Sequence, residues 1–428
     1  MARTLKTLVL AVLVLAVATS CGGSGSGAKG NVDFLVFGDP EELQAYRNII
    51  AEYERENEGA EVRLIEASDR DDLIARLSTS FAGGSPPDLF LINYRFYGQF
   101  ASKGVLEPVE QRVEDSDAFE LDHFYPQAVN AFRWNGELTC MPQNISSLVV
   151  YYNRDLFKQY GVAEPRAGWT WNELVDAAAK LTKNTDGKGR YELYGLGIEP
   201  SIIRLAPLVW SNGGDIVDAQ NSPTRLTLDS SEALEAMQLM FDLRGTHGVI
   251  PTEQDVESED DEARFMNGRL AMLFSSRRST PVFRTIESFD WDVAPMPVVS
   301  EPAGILHSDA YCMTKGSSNK DAAWSFMEFA LGEDGQRIAA RTGRTVPSLR
   351  SVANSEAFLD PSAKPRSSRV FLDAIPNIRN VPTVSTWPEI EDAIEGHLEQ
   401  GLYEGVPPEE VAQKAIAETT PLFARAEN

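Results

Sequence analysis

The chain has 428 residues, 43% hydrophobic and 24% charged, an ordinary globular composition with material for about two or three domains. A net charge of −25, from 39 basic and 64 acidic residues, excludes the clustered basic surface that duplex nucleic acid or anionic lipid requires. Three Cys cannot build a disulfide scaffold of this size, and His123, His247, His307 and His397 fall in no zinc-binding spacing.

The N-terminus reads as an address. Arg3 and Lys6 precede an unbroken apolar run over residues 8–18, and small residues follow. That is the order of a secretory signal peptide over residues 1–20, too short for a membrane span. Ala18-Thr19-Ser20-Cys21 resembles the bacterial lipobox, with Ala18 where Leu is usual. Cys21 is therefore read as the lipidated start of the mature protein, against the alternative of ordinary cleavage that leaves a spare thiol. Gly22-Gly23-Ser24-Gly25-Ser26-Gly27 supplies a flexible tether, which a soluble domain fixed to a membrane surface requires. Residues 21–30 thus make the anchor and tether, and the protein is expected outside the cytoplasmic membrane, held there by lipid alone.

From residue 32 the chain alternates short apolar runs with helical periodicity. Residues 32–37 read as a buried strand. Asp39 is a good N-cap, Pro40 suits the first helical position, and Glu42 sits where a capping box places an acid. Leu43, Tyr46, Ile50 and Tyr53 continue at helical spacing to a stop near Gly59. Residues 62–65 form a second strand, Leu73, Leu77 and Phe81 mark a second helix, and residues 88–92 form a third strand after Gly83-Gly84-Ser85-Pro86-Pro87. Strands linked by helices imply a parallel sheet, whose ligands sit beyond the strand carboxyl ends. Those ends lie near Phe37-Gly38-Asp39 and Asn93-Tyr94-Arg95.

Residues 151–291 read as mostly helical, with Leu234, Met237, Met240 and Phe241 on one buried face. The acidic run over 253–262 reads as a solvated surface. A helix over 321–331, carrying Ala322, Trp324, Phe326 and Phe329, is expected to be buried on more than one side. Residues 389–423 are helical, interrupted at Gly405-Val406-Pro407-Pro408. No GxSxG, P-loop or GxGxxG is present, and no two acids stand out as a glycosidase pair. Asn184-Thr185-Asp186-Gly187-Lys188-Gly189 begins like a calcium loop but lacks the closing Glu, and reads as a turn. Neither metal nor cofactor is expected.

Five segments in register resemble the sugar-type solute-binding proteins of ABC importers, which include maltose-binding protein. They are Pro87-Asp88-Leu89-Phe90 running to Gly98 and Leu106; Asn135-Gly136-Glu137-Leu138 through Pro142 to Tyr152-Asn153-Arg154-Asp155-Leu156-Phe157; Asn212-Gly213-Gly214; Phe265-Met266-Asn267-Gly268-Arg269-Leu270-Ala271-Met272; and Lys315-Gly316-Ser317-Ser318-Asn319-Lys320. The resemblance spans nearly all of the mature chain. It implies an α/β, two-lobed periplasmic-binding-protein fold of class II type, with the ligand cleft between the lobes and closure by hinge motion. By the matching segments, lobe 1 is 31–143 plus 309–352 and lobe 2 is 147–306 plus 353–428.

The resemblance also implies the candidate site. Trp387 falls where the family often stacks an aromatic on a sugar ring, the alternative being a core Trp. Arg278, beside Arg277, departs from another stacking position and suits hydroxyls, a carboxylate or a phosphate. Arg95 and Glu199 match ligand segments, with surface or structural ion pairs as the alternatives. Asp39 and Glu41 follow the first strand, Asp39 reading more as a cap than a ligand. Gln143, Asn144 and Ser146 follow the hinge proline, Ser146 standing where some relatives carry an acid. Trp210, which suits a core as well as a ligand, Asn212, Asp309, Tyr311 and Arg344 complete the set. The family sets the strands bearing Cys140 and Cys312 side by side, as a disulfide or as two buried thiols.

The expected function is capture of a sugar or oligosaccharide by a lipid-anchored monomer that hands it to a membrane permease, without catalysis. An anionic or phosphorylated polyol is the second reading, and a secreted glycosidase or polysaccharide lyase the rival class.

Overall fold

The computed structural model describes residues 30–116, 120–184 and 191–426. The expected signal segment, Cys21, the tether and most of the 184–189 turn lie outside the described residues. Strand β1 (Asn31–Val36) is buried along most of its length, as a strand covered on both faces must be. Helix α1 (Pro40–Glu56) begins as expected: the Asp39 carboxylate accepts from the Glu42 N–H at 2.9 Å, with Pro40 at the first position. Glu42 departs from its expected capping-box role. Its side chain turns inward, accepts from the Tyr46 hydroxyl at 2.9 Å and pairs with Arg344 at 3.1 Å.

Strand β2 (Glu61–Glu66) pairs with β1 in parallel, and helix α2 (Arg70–Ala82), capped by Asp69, leads to β3 (Leu89–Asn93) on the other side of β1. Helix α3 (Tyr94–Ala101) follows directly. Strand β4 (Cys140–Pro142) ends at Pro142, and the chain then crosses to β5 (Val149–Asn153) in a second sheet. Helix α4 (Ile202–Ser211), β6 (Met272–Ser275) and β7 (Trp291–Ala294) belong to that second half. The chain returns at β8 (Asp309–Met313), followed by α5 (Lys320–Leu331), α6 (Trp387–Glu399) and α7 (Pro408–Arg425).

The first sheet has the order β2-β1-β3-β8-β4, parallel through β3 and antiparallel at β8 and β4. The second has the order β6-β5-β7, all antiparallel. Each sheet carries its own aromatic core. Phe34 packs on Tyr311 at 4.7 Å, Phe326 at 5.6 Å and Tyr46 at 5.9 Å between centroids. In the second half Tyr151, Phe283 and Trp291 meet at 5.1–6.0 Å. Such tilted and edge-on pairs add about 0.5–1.5 kcal/mol each beyond the area they bury.

Two segments cross between the sheets, and Ser146 and His307 on them exchange backbone hydrogen bonds of 2.8 and 2.9 Å. In the first sheet Cys312 lies directly opposite Cys140, with Cα atoms 4.4 Å apart, and the two form a disulfide. Helix α6 touches both α3 and α4, and the backbone beside it approaches α3 at Gly98. A Cβ at Gly98 would lie 2.7 Å from the Val384 carbonyl oxygen, so only glycine permits that approach.

The acidic run is more than a solvated surface. Thr252 and Asp255 form a capping box on a short helix, Glu253–Ser258, and Glu259 pairs with Arg264 and Arg269 from a mostly buried position. Burial pushes the Asp261 carboxyl up to about 7. No helix of the described residues is long and apolar enough to cross a membrane.

Candidate functional site

A cleft of about 550 Å³ opens over the crossing segments. Asn144, Ser146, His307 and Asp309 form its floor. One wall is built from the carboxyl ends of the first sheet and the segments that follow: Phe37 after β1, Arg70 at the start of α2, Asn93, Arg95 and Phe96 at the β3–α3 junction, with Arg344 beside them. The opposite wall carries Glu199, Ser201 and Arg204 at the start of α4, then Arg278, and Pro388, Glu391 and Glu395 from α6. This is the position the strand-end rule assigns to a ligand.

The floor is a tied amide–carboxylate network. Asp309 accepts from the Asn93 Nδ2 at 3.0 Å and the Asn144 Nδ2 at 3.1 Å, while Asn144 Oδ1 accepts from the Asp309 N–H at 3.0 Å. Arg344 is held against the first sheet: its Nε donates to Asp39 at 2.7 Å and it pairs with Glu42. Arg95 reaches across to form a buried ion pair with Glu391 of α6. Arg204 pairs with Glu199 at 2.8 Å. Arg278 is half exposed and meets Glu262 loosely at 3.7 Å.

Several polar atoms around this volume have no hydrogen-bond partner among the described residues: Arg70 Nε, Ser201 Oγ, Arg204 Nε, His307 Nε2 and Glu391 Oε2. Leaving a buried polar atom unpaired costs about 1–3 kcal/mol, so such atoms converging on a cleft are suited to a polar ligand. Burial, followed by the charges of Arg204, Arg95, Arg278 and Arg70, holds the His307 imidazole well below its ordinary range, hence neutral. Burial, reinforced by Glu391 and Asp392, pushes Glu395 up to about 7.

Of the residues expected from sequence, Arg95, Asn144, Ser146, Glu199, Arg278, Asp309 and Arg344 line the cleft. The others lie elsewhere. Trp387 is fully buried: it starts the stripe Trp387, Ile390, Ile394 and Leu398 on the inner face of α6, while Pro388, Glu391 and Glu395 face the cleft. Trp210 is also core, donating its indole N–H to Asp215 at 3.2 Å beneath the Arg379 guanidinium. Asn212 donates to Glu232 O and Glu235 away from the cleft. Tyr311 is buried against Phe34, and Gln143 is buried, accepting from Tyr46 at 3.3 Å. Asp39 caps α1 and holds Arg344, and Glu41 is exposed on the first turn of α1.

Arg277 touches the cleft margin, but its guanidinium is structural. It donates to Gly343 O at 2.7 Å and Ser368 Oγ at 3.1 Å between the rings of Phe358 and Phe371, and burial lowers its pKa to about 9. Sequence reasoning missed Arg70, Ser201, Arg204, His307, Glu391 and Glu395. The strand-end rule, applied to β2 as well as to its neighbours, would have pointed to Arg70.

Residues 38–337 match the sequence model of the family described as bacterial extracellular solute-binding protein. A binding protein of Brucella abortus is 25% identical over 383 residues, covering 87% of this chain and 88% of that one. The mannitol-binding protein of Pseudomonas aeruginosa is 26% identical over 329 residues, covering 74% and 72%. Among solved structures, an ABC substrate-binding protein of Listeria monocytogenes in complex with cycloalternan superposes with a TM-score of 0.84 at 25% identity, over 93% of this chain and all of that one.

Proposed function

The chain belongs to the bacterial extracellular solute-binding proteins, and from that membership we propose that it captures a sugar or oligosaccharide by hinge closure and delivers it to the permease of an ABC importer. The observation that carries this reading is the cleft over the crossing segments, into which buried atoms of Ser201, Arg204 and Glu391 present unused hydrogen-bonding capacity. Its volume lies within the range of about 300–1,000 Å³ typical of small-ligand sites. The hydroxyls of a sugar supply the donors and acceptors that such a lining lacks. The mannitol and cycloalternan named for two relatives are polyhydroxylated ligands of this kind.

The proposal includes the organisation around the cleft. Lobe 1 comprises 31–143 plus 309–352 and lobe 2 147–306 plus 353–428, a division supported by the membership of the two sheets. The protein works as a monomer outside the cytoplasmic membrane, tethered through a lipidated Cys21, and does no chemistry on its ligand. A second reading, an anionic or phosphorylated polyol, is favoured by the four guanidinium groups of Arg70, Arg95, Arg204 and Arg278 around one volume. The test is a thermal-shift panel of mono- and oligosaccharides with product analysis of each mixture. A saturable rise in melting temperature with the sugar recovered unchanged supports capture. Steady product formation would assign the chain to a carbohydrate-active enzyme.

A further inference from the structure

Arg70 differs from every other arginine of the cleft. Arg95 pairs with Glu391, Arg204 with Glu199, Arg344 with Asp39 and Glu42, and Arg278 loosely with Glu262. Arg277 donates through Nε to Gly343 and through one terminal nitrogen to Ser368, its other terminal nitrogen being buried without a partner among the described residues. Arg70 has neither an ion pair nor a hydrogen-bonded side-chain donor among the described residues, and its Nε is buried without a partner. What positions it is aromatic: its guanidinium lies over the rings of Phe96 at 5.1 Å and Phe37 at 5.8 Å. Ring contacts of this kind hold the guanidinium in place while leaving its N–H groups free.

The surroundings do not neutralise it locally. Asp309 and Glu391 attract it from a distance, but Asp309 is occupied by two amides and one oxygen of Glu391 by Arg95, the other oxygen making no hydrogen bond to Arg70. Arg95 and Arg278 add repulsion. On the facing wall, Arg204 and Ser201 are 7% and 6% exposed, each with an unused donor, Nε and Oγ. His307, on the floor between these walls, feels four guanidinium charges together, so the positive field converges there. The acids of the far wall, Glu391, Asp392 and Glu395, sit together on α6.

A neutral sugar satisfies hydroxyl-sized donors, but it leaves a desolvated guanidinium without a counter-charge. An oxyanion does both, because a carboxylate or phosphate matches the planar fork of an arginine. Building on the reading of this cleft as a carbohydrate site, we propose that its ligand carries an oxyanion, a carboxylate or phosphate on a sugar or polyol, and that Arg70 is the residue that selects it, with Arg204 and Ser201 donating from the opposite wall.

The test uses the mature chain and matched probes by calorimetry: galacturonate against galactose, glucuronate against glucose, glycerol 3-phosphate against glycerol, and inorganic phosphate alone. The expected result is that at least one acidic member binds about tenfold or more tighter than its neutral partner, with an affinity that falls as salt rises. In Arg70→Gln the ratio of acidic to neutral affinity should fall toward one, and in Arg70→Lys it should be partly restored. Unfolding curves of both variants establish that they fold. The uronate and phosphate arms separate the two sources of the oxyanion. Neutral members binding as tightly as acidic ones, or an unchanged ratio in Arg70→Gln, would overturn this inference and leave sugar capture standing. No response to any probe would count against both.

Discussion

Reducing the Cys140–Cys312 bridge should lower stability strongly while leaving ligand affinity unchanged. The bridge joins two neighbouring strands of one sheet, β4 and β8, and closes a loop of 172 residues. Cross-linking so long a loop restricts the unfolded chain by about 5 kcal/mol in the loop-entropy relation. With an m-value of about 3 kcal/mol/M, that becomes roughly 1.7 M in the urea midpoint of the part containing the first sheet. Both sulfurs are fully buried, so reductant acts only when the strands open, and the comparison belongs at equilibrium in denaturant. The assay is urea unfolding with and without reductant in a chain lacking Cys21, followed by ligand titration of the reduced protein. The bridge lies within one sheet and does not span the cleft, so the proposed closure is free to proceed without it. Coincident midpoints would refute the argument that the bridge acts by restricting the unfolded chain. A large loss of affinity at unchanged stability would show that it shapes the cleft instead.

Arg95→Ala and Glu391→Ala should each cost about 3–5 kcal/mol, because either leaves a buried charge unpaired, and the double variant should cost less than their sum; additive urea midpoints would show that the pair is not coupled. Trp387→Ala should cost about 3–5 kcal/mol of stability as a core truncation, and a folded, equally stable variant with weakened binding would return Trp387 to the ligand. Glu395 sets a pH dependence. Its folded pKa of about 7 lies above the ordinary carboxylate value, so between about 4.5 and 7 the folded state retains a proton that the unfolded state has lost. Stability should therefore fall as pH rises through that window, and Glu395→Gln should flatten the slope; a variant with the wild-type profile would remove Glu395 from that account.

The strand–helix alternation from β1 to β3 was legible because apolar runs, the Asp39 cap and the Gly-Pro break are local signals. The side-by-side placement of the strands bearing Cys140 and Cys312 was legible through the resemblance, while disulfide and free thiols stayed open until the structure joined them. The aromatic candidates were ambiguous for a physical reason. An aromatic side chain serves a core or a sugar equally well by composition, and Trp387, Trp210 and Tyr311 all went to the core. For Trp387 the helical stripe with Ile390, Ile394 and Leu398 was the available discriminator. The missed arginines carry no motif, and charge alone does not distinguish a solvated arginine at a helix start from a buried one. In Ile202–Ser211 Arg204 stands among almost wholly apolar neighbours, and that isolation is itself a mark of a buried charge with a task. The run over 253–262 misled because charge density alone does not reveal that Glu259 and Asp261 fold back on Arg264 and the segment at Ile198.

Capture without conversion is tested most directly by native mass spectrometry of the mature chain after incubation with a polysaccharide digest containing neutral and acidic oligosaccharides, followed by desalting. One ligand per chain is expected, retained through desalting and recovered unchanged after denaturation. A chain that retains nothing, or that releases a shortened or rearranged sugar, would contradict it.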